Sequence, residues 1–350
     1  MAENILAMLL WLAVLTGASF LLSYGAEHLS KKYGAKFVGR TLLSVATTLP
    51  EIAIVIYAAA GGFYGTAVGA GLGSNLLMMT LGLSIMLLIA TTRLSKAPLK
   101  GVEVATFKLD KIFLIATAVI SAVLFIDGYN YIDGIIFIAM FAAYLVMALA
   151  EMKAENKASK VREQKMAGDD HKVIGAANGI VPQRFDRSMT KAMLVFAAGT
   201  AGIFFAAGPF IDSLEGFSLE VGVSLIILAV IISPIAGEMP EKISMMLLAR
   251  KGAAGASIAV ANVLGSKILN NTLLFAVAVF AAMYHGGFYV NIEANTILNY
   301  QMILVTVVTI IALVPMFRKA IGLKVGVMLA AMYIISMIIQ FLLPQDLTLH

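Results

Sequence analysis

The sequence contains no cysteine, so neither a disulfide nor a thiolate metal site can form, and it says nothing about redox compartment. It is also poor in charge. Only 13% of its residues are Asp, Glu, Lys or Arg, against roughly 25% in soluble domains. A chain with so few polar residues cannot cover a soluble fold. Its four histidines, His28, His171, His285 and His350, share no metal-ligand spacing. There is no paired-Asp motif, no Ser beside a His and no His-Glu-x-x-His, so an intramembrane enzyme is not expected, nor is a bound cofactor. The N-terminal Met1-Ala2-Glu3-Asn4-Ile5 lacks the positive region of a signal peptide, so the first apolar run is expected to be retained as a helix.

What remains is apolar. Of 350 residues, 61% are hydrophobic, and the mean hydropathy is +0.94. A bilayer-spanning helix needs about 20 apolar residues. Ten candidate spans meet that pattern, at about 5–24, 39–61, 65–91, 112–127, 131–151, 188–211, 219–249, 253–284, 296–316 and 321–343. The expected fold is therefore an all-α polytopic membrane protein with ten transmembrane helices. The expected division is a first five-helix unit at 1–151, a polar linker at 152–187 and a second five-helix unit at 188–350. Part of the linker reads equally well as an amphipathic helix or as flexible chain.

The net charge of +5 suggests nucleic acid only if the basic residues share a face, and they do not. Of the 25 Lys and Arg, 23 fall in or at the edge of loops that follow odd-numbered spans. Loops after even-numbered spans have none: 61–65, 127–133, 212–220 and 285–293. By the positive-inside rule both termini lie outside and the 152–187 loop lies in the cytoplasm, in a multi-pass protein of the cell membrane. The bilayer and inorganic cations are its expected partners. The oligomeric state stays open.

The two remaining basic residues, Lys242 and Lys267, sit inside spans, as do Glu51, Glu238 and Glu241. A charge at mid-membrane costs about 2.5–3.5 kcal/mol even on the mildest scale, so these five need a reason. Four of them, all but Lys242, fall on an internal repeat. Thr47-Thr48-Leu49-Pro50-Glu51 in span two corresponds to Gly237-Glu238-Met239-Pro240-Glu241 in span seven, 190 residues later. TAVGAGLGSNLLMMT at Thr66–Thr80 corresponds to IAVANVLGSKILNNT at Ile258–Thr272, 192 residues later, with seven of 15 positions identical. Corresponding spans are five apart. Five is odd, so the second copy runs through the membrane in the opposite sense, an inverted repeat of the kind found in secondary transporters.

Proline removes a backbone donor and frees carbonyls of the preceding turn. A carboxylate beside it supplies the oxygens that hard cations prefer. Ser74, Asn75, Ser266, Asn270 and Asn271 add neutral oxygens. The repeat sets Glu51 and Glu241 about a pseudo-two-fold axis. Two facing carboxylates repel in low dielectric unless neutralised, by one divalent cation, two sodium ions or two protons. One site served in turn by competing cations is the basis of exchange. Blander roles remain for the others: a structural ion pair for Glu238 with Lys267, a snorkelling or structural role for Lys242, and core or lipid contact for Trp11.

At these motifs the sequence resembles the calcium/cation antiporter superfamily, which includes sodium/calcium and cation/proton exchangers. Members carry Gly-Thr/Asn-Ser-Leu-Pro-Glu and Gly-Ser-Asn-x-x-Asn/Asp. Thr47, Thr48, Pro50 and Glu51 match the first motif in one copy, and Pro240 and Glu241 in the other. Ser74 and Asn75 match the second motif in one copy. Ser266 and Asn270, with Asn262 upstream, match it in the other. The resemblance implies that Glu51 and Glu241 are central calcium ligands and that Thr47, Thr48, Ser74, Ser266 and Asn270 line the ion sites. It also implies alternating access, with the first and sixth helices sliding past a core of the others. The expected activity is exchange of Ca2+, or a related divalent such as magnesium or manganese, for Na+. Coupling to H+ is the alternative, and a cation channel or uniporter is the lesser one. Three departures stand out. Gly237-Glu238 replaces the family's hydroxyl residues, Lys267 replaces an Asn, and Met78 stands where a second Asn belongs. They raise the hypothesis that Lys267 acts as a tethered cation beside Glu238, which also counts among the candidate ligands.

Overall fold

A computed structural model describes residues 2–33, 42–167 and 187–343. Those residues form ten long helices: α1 (Ala2–Tyr33), α2 (Leu42–Ala60), α3 (Tyr64–Thr91), α4 (Lys108–Leu124) and α5 (Tyr131–Ala167) make the first half. The second half is α6 (Arg187–Val221), α7 (Leu225–Ala249), α8 (Ala253–Gly286), α9 (Thr296–Leu313) and α10 (Leu323–Leu342). In hydrocarbon every backbone polar group must be satisfied within the segment, which is why apolar runs of this length are helical. Eight of the helices carry segments long and apolar enough to cross a bilayer by themselves. In α2 and α7 the apolar stretches among the described residues are shorter, Thr47–Ala60 and Leu225–Met239. The chain is an integral membrane protein. Its outer surface bears large apolar side chains such as Ile135, Val146, Phe205 and Ile338, the surface expected against lipid.

Two boundaries differ from the sequence reading. Residues 212–220, expected as a loop, continue α6 to Val221, leaving a three-residue turn before α7. The polar residues there do not end the helix. Asn4 at the start of α1 donates a 2.9 Å hydrogen bond to Glu220 on this extension. Likewise α5 runs past the apolar segment ending at Glu151 as far as Ala167. Residues 34–41, 168–186 and 344–350 lie outside the described residues, and with them Lys36, Arg40, His171 and most of the expected linker.

The inverted repeat is visible in the backbone. Helix α3 contains a π-helical turn at Met78–Gly82, and α8 contains one at Asn270–Leu274, displaced by the same 192 residues as the Gly-Ser motif. The short strand β1 (Val102–Glu103), between α3 and α4, pairs with β2 (Ala320–Ile321), between α9 and α10. Its symmetry counterpart is the bridge between Tyr129, in the α4–α5 turn, and Ile292, in the α8–α9 turn. Exchanging the halves converts one bridge into the other. Each ties the two halves together at one end of the molecule.

Helices α3 and α8 are the most enclosed spans, and together with α2 and α7 they surround the buried Glu51, Glu238, Glu241 and Lys267. Helix α3 reaches α7 through a glycine stripe. A Cβ on Gly73 would stand 2.0 Å from the Val230 carbonyl oxygen, and one on Gly69 would stand 3.1 Å from that of Ile226. Small residues four apart allow such backbone approach. Helices α1 and α6 pair along their length by the same means, with the Gly199 Cα facing the Leu22 backbone. Trp11 on α1 meets Phe205 on α6 edge-on at 5.8 Å.

Candidate cation site

Helices α2 and α7 deliver their polar side chains by helical spacing. Thr47, Thr48 and Glu51 stand at i, i+1 and i+4 on α2, so each threonine shares a face with the carboxylate. All three are buried, as is Pro50 between them. On α7, Glu238 and Glu241 are three apart and face the same side. Glu51, Glu238, Glu241 and Lys267 are 4%, 0%, 1% and 1% exposed. Ser74 and Asn75 on α3 and Ser266, Asn270 and Asn271 on α8 are also buried, at or beside the two π turns. Such turns shift the helical register and leave backbone and side chains free to serve a site.

Four of the expected residues, Lys267, Glu238, Ser74 and Asn270, meet in one network. The Lys267 ammonium forms an ion pair with Glu238 Oε1 and donates to Ser74 Oγ at 2.8 Å. The Ser74 hydroxyl donates to the same Glu238 oxygen and accepts a second bond from Asn270 Nδ2 at 2.6 Å. A hydroxyl has one proton and two lone pairs, so Ser74 is fully used in this arrangement. The Asn75 side-chain amide donates to Asn271 Oδ1 across α3 and α8. Also on α7, Glu241 Oε1 accepts from Asn262 Nδ2 at 2.9 Å and from Ser266 Oγ at 3.0 Å.

Glu51 is held differently. Its carboxylate rests on the bare Cα of Gly237, where a Cβ would stand 2.8 Å from both its Cδ and its Oε1. It lies within electrostatic reach of Glu238, Lys267 and Glu241. Lys242, whose Nζ is 3.4 Å from the Pro234 carbonyl oxygen, reaches the same charges. Three carboxylates against two ammoniums leave the cluster with one formal negative charge.

Four buried acceptors in this region have no hydrogen-bond partner: Glu51 Oε2, Glu238 Oε2, Asn75 Oδ1 and Asn270 Oδ1. They come from four helices, α2, α7, α3 and α8. A buried oxygen without a donor is costly, about 1–3 kcal/mol and more for a carboxylate, and so requires an explanation. Carboxylate and amide oxygens together form a hard-cation donor set. Among the described residues no three His, Asp or Glu are placed to hold one metal ion, so a bound cation would rely on amide as well as carboxylate oxygens.

Two residues outside the candidate ligand set belong to the site. Asn262 sits four residues before Ser266 on α8, on the face that binds Glu241, and that spacing is readable from sequence. Gly237 contributes only space, which no motif signals.

A family model described as sodium/calcium exchanger protein matches residues 3–150 and 191–342, so the match spans both halves. The uncharacterized membrane protein MJ0091 of Methanocaldococcus jannaschii is 22% identical over 314 residues, covering 89% of each chain. Two solved structures share the fold. The crystal structure of the H+/Ca2+ exchanger CAX superposes with a TM-score of 0.77 at 19% identity, over 97% of this chain and 82% of that one. The sodium-calcium exchanger NCX_Mj, soaked with 10 mM Na+ and 10 mM Sr2+, gives 0.60 at 20% identity, over 96% and 97%.

Proposed function

The chain belongs to the sodium/calcium exchanger family, and from that premise we propose that it is a secondary antiporter, exchanging Ca2+ or a related divalent cation for Na+ by alternating access. The observation that carries this reading is the set of four unpartnered buried oxygens contributed by α2, α3, α7 and α8. Glu51 and Glu241 are the charged ligands in this reading, with Asn75 and Asn270 as neutral ones. Thr47, Thr48 and Ser266 line the site, and Ser74 orders it through Glu238. The glycine-mediated pairing of α1 with α6 suits two helices that move as a unit past the ion-binding core. The distribution of basic residues supports termini outside and residues 152–187 in the cytoplasm.

Proton coupling is the second reading. It is favoured by the replacement of neutral oxygen ligands with Glu238 and Lys267, which suits the site less well to a second sodium ion. The neighbours do not separate the two readings, since one exchanges H+ and the other Na+.

The test is uptake of radiolabelled calcium into proteoliposomes under imposed Na+ or H+ gradients, with magnesium and manganese as competitors. Uptake should follow one of the gradients and disappear in Glu51→Gln and in Glu241→Gln. Full uptake in both variants would remove the reading. Calcium flux indifferent to either counter-ion would favour a channel or uniporter.

A further inference from the structure

Two positions break the internal repeat by introducing charge. Glu238 stands where the first half has Thr48, at the 190-residue offset, and Lys267 stands where it has Asn75, at the 192-residue offset. They lie on different helices and 29 residues apart, yet their side chains are ion-paired, and both are within 1% of complete burial. Two independent departures from symmetry that meet as a pair are one coupled change.

The atoms around the ammonium are those a monovalent cation would choose. A carboxylate oxygen of Glu238 and the hydroxyl oxygen of Ser74 both contact Lys267 Nζ. Ser74 is positioned by Asn270. An ammonium and a sodium ion both bear one positive charge and both require oxygen ligands. The ammonium differs in being attached to the chain, so it cannot leave during the cycle. Glu238 brings a charge into the core, and Lys267 neutralises it without recruiting an ion from solution.

We infer that Lys267 is a built-in counter-ion that permanently fills a monovalent-cation subsite formed by Glu238 and Ser74. The consequence is that this exchanger moves one fewer monovalent cation per divalent than it would with a neutral residue at position 267. This inference rests on the antiport reading for its consequence, but not for its binding test. It makes Lys267 a determinant of stoichiometry as well as the partner that keeps the buried Glu238 neutralised.

The experiment compares wild type, Lys267→Asn and the double variant Glu238→Gln/Lys267→Asn. In Lys267→Asn the Glu238 carboxylate is released to bind a mobile ion. The double variant removes both charges and with them the added ion. Equilibrium binding of radiolabelled sodium to purified protein should rise by one ion per chain in Lys267→Asn and return to the wild-type number in the double variant. In proteoliposomes clamped at zero voltage, a tenfold sodium gradient should support a divalent gradient about tenfold steeper in Lys267→Asn than in wild type, since one more ion is coupled. The double variant should match wild type. An unchanged sodium count in a folded, monodisperse Lys267→Asn protein would overturn the inference, as would an unchanged coupling number. The sodium count is readable even if Lys267→Asn does not transport. Failure of wild type to exchange any divalent would count against antiport while leaving the binding result to stand alone.

Discussion

In the first half of the molecule, one carboxylate on α2 is followed by a Gly-Ser-Asn on α3. In the second half, two carboxylates on α7 are followed by a Gly-Ser-Lys on α8. The halves share a backbone, down to the duplicated π turns, but they do not share a hydrogen-bond pattern. Ser266 binds Glu241 within its own half. Its counterpart Ser74 does not take the equivalent partner, Glu51, but crosses to Glu238 in the other half. Helix α7 therefore holds both serines, while Glu51 is left against Gly237 with one oxygen unpartnered. The difference shows that backbone symmetry and chemical symmetry can separate. The second half carries the fixed charges, and the first half keeps the free carboxylate.

The largest test of that asymmetry is to delete the corresponding side chains on α3 and α8. Lys267→Ala leaves Glu238 buried without its cation, and breaking such a pair costs about 3–5 kcal/mol. Asn75→Ala removes a neutral amide bonded to Asn271, and about 1 kcal/mol is expected. Thermal unfolding in detergent should separate the two clearly. Adding Glu238→Gln to Lys267→Ala should recover most of the loss, because the stranded charge is gone. Equal effects at positions 75 and 267 would mean that the halves are chemically equivalent after all.

A smaller difference is expected at the glycines before the two serines. On Gly73 an added Cβ would lie 2.0 Å from the Val230 carbonyl oxygen, whereas on Gly265 the nearest atom would be Tyr144 Oη at 3.6 Å. Gly73→Ala should therefore destabilise the protein by about 1–3 kcal/mol, as overpacking does. Gly265→Ala should be near neutral, with a small gain from helix propensity. The same unfolding measurement checks both. A Gly265→Ala protein as unstable as Gly73→Ala would show that α8 approaches its neighbour as closely as α3 does.

The ten spans and the inverted repeat were legible because hydrocarbon imposes one rule on every residue of a span. The boundary of α6 was not legible. Asp212, Glu215 and Glu220 interrupt the apolar run, but polar side chains do not by themselves stop a helix. Glu51, Glu238, Glu241 and Lys267 were legible as a set because charge inside a membrane is costly and rare. Their pairing was open to several readings, since spacing places residues on a face but does not choose between opposite faces. The saturation of Ser74 depends on three partners from two other helices, so no local pattern encodes it. The role of Gly237 is a missing side chain, which acquires meaning only once Glu51 arrives from another helix.

Gly237 gives the finest comparison, because the repeat aligns it with Thr47 at the 190-residue offset. In the first half this position carries a side chain on the face of Glu51. In the second half it carries none, and the Glu51 carboxylate uses the space. Gly237→Ala would bring a Cβ to 2.8 Å of the Glu51 Cδ. The carboxylate is the end of a flexible side chain, so it moves while the backbone stays. Stability should then change little, by about 1 kcal/mol or less, and the effect should appear in cation binding. A displaced ligand of this kind is expected to weaken divalent affinity by about 10-fold. Thr47→Ala removes atoms without moving Glu51 and should cost less. Titration of both variants with calcium, read as protection against thermal unfolding, ranks them. If Thr47→Ala lost more affinity than Gly237→Ala, the hydroxyl would matter more than the placement of Glu51, and the space left by Gly237 would lose its role in setting that carboxylate.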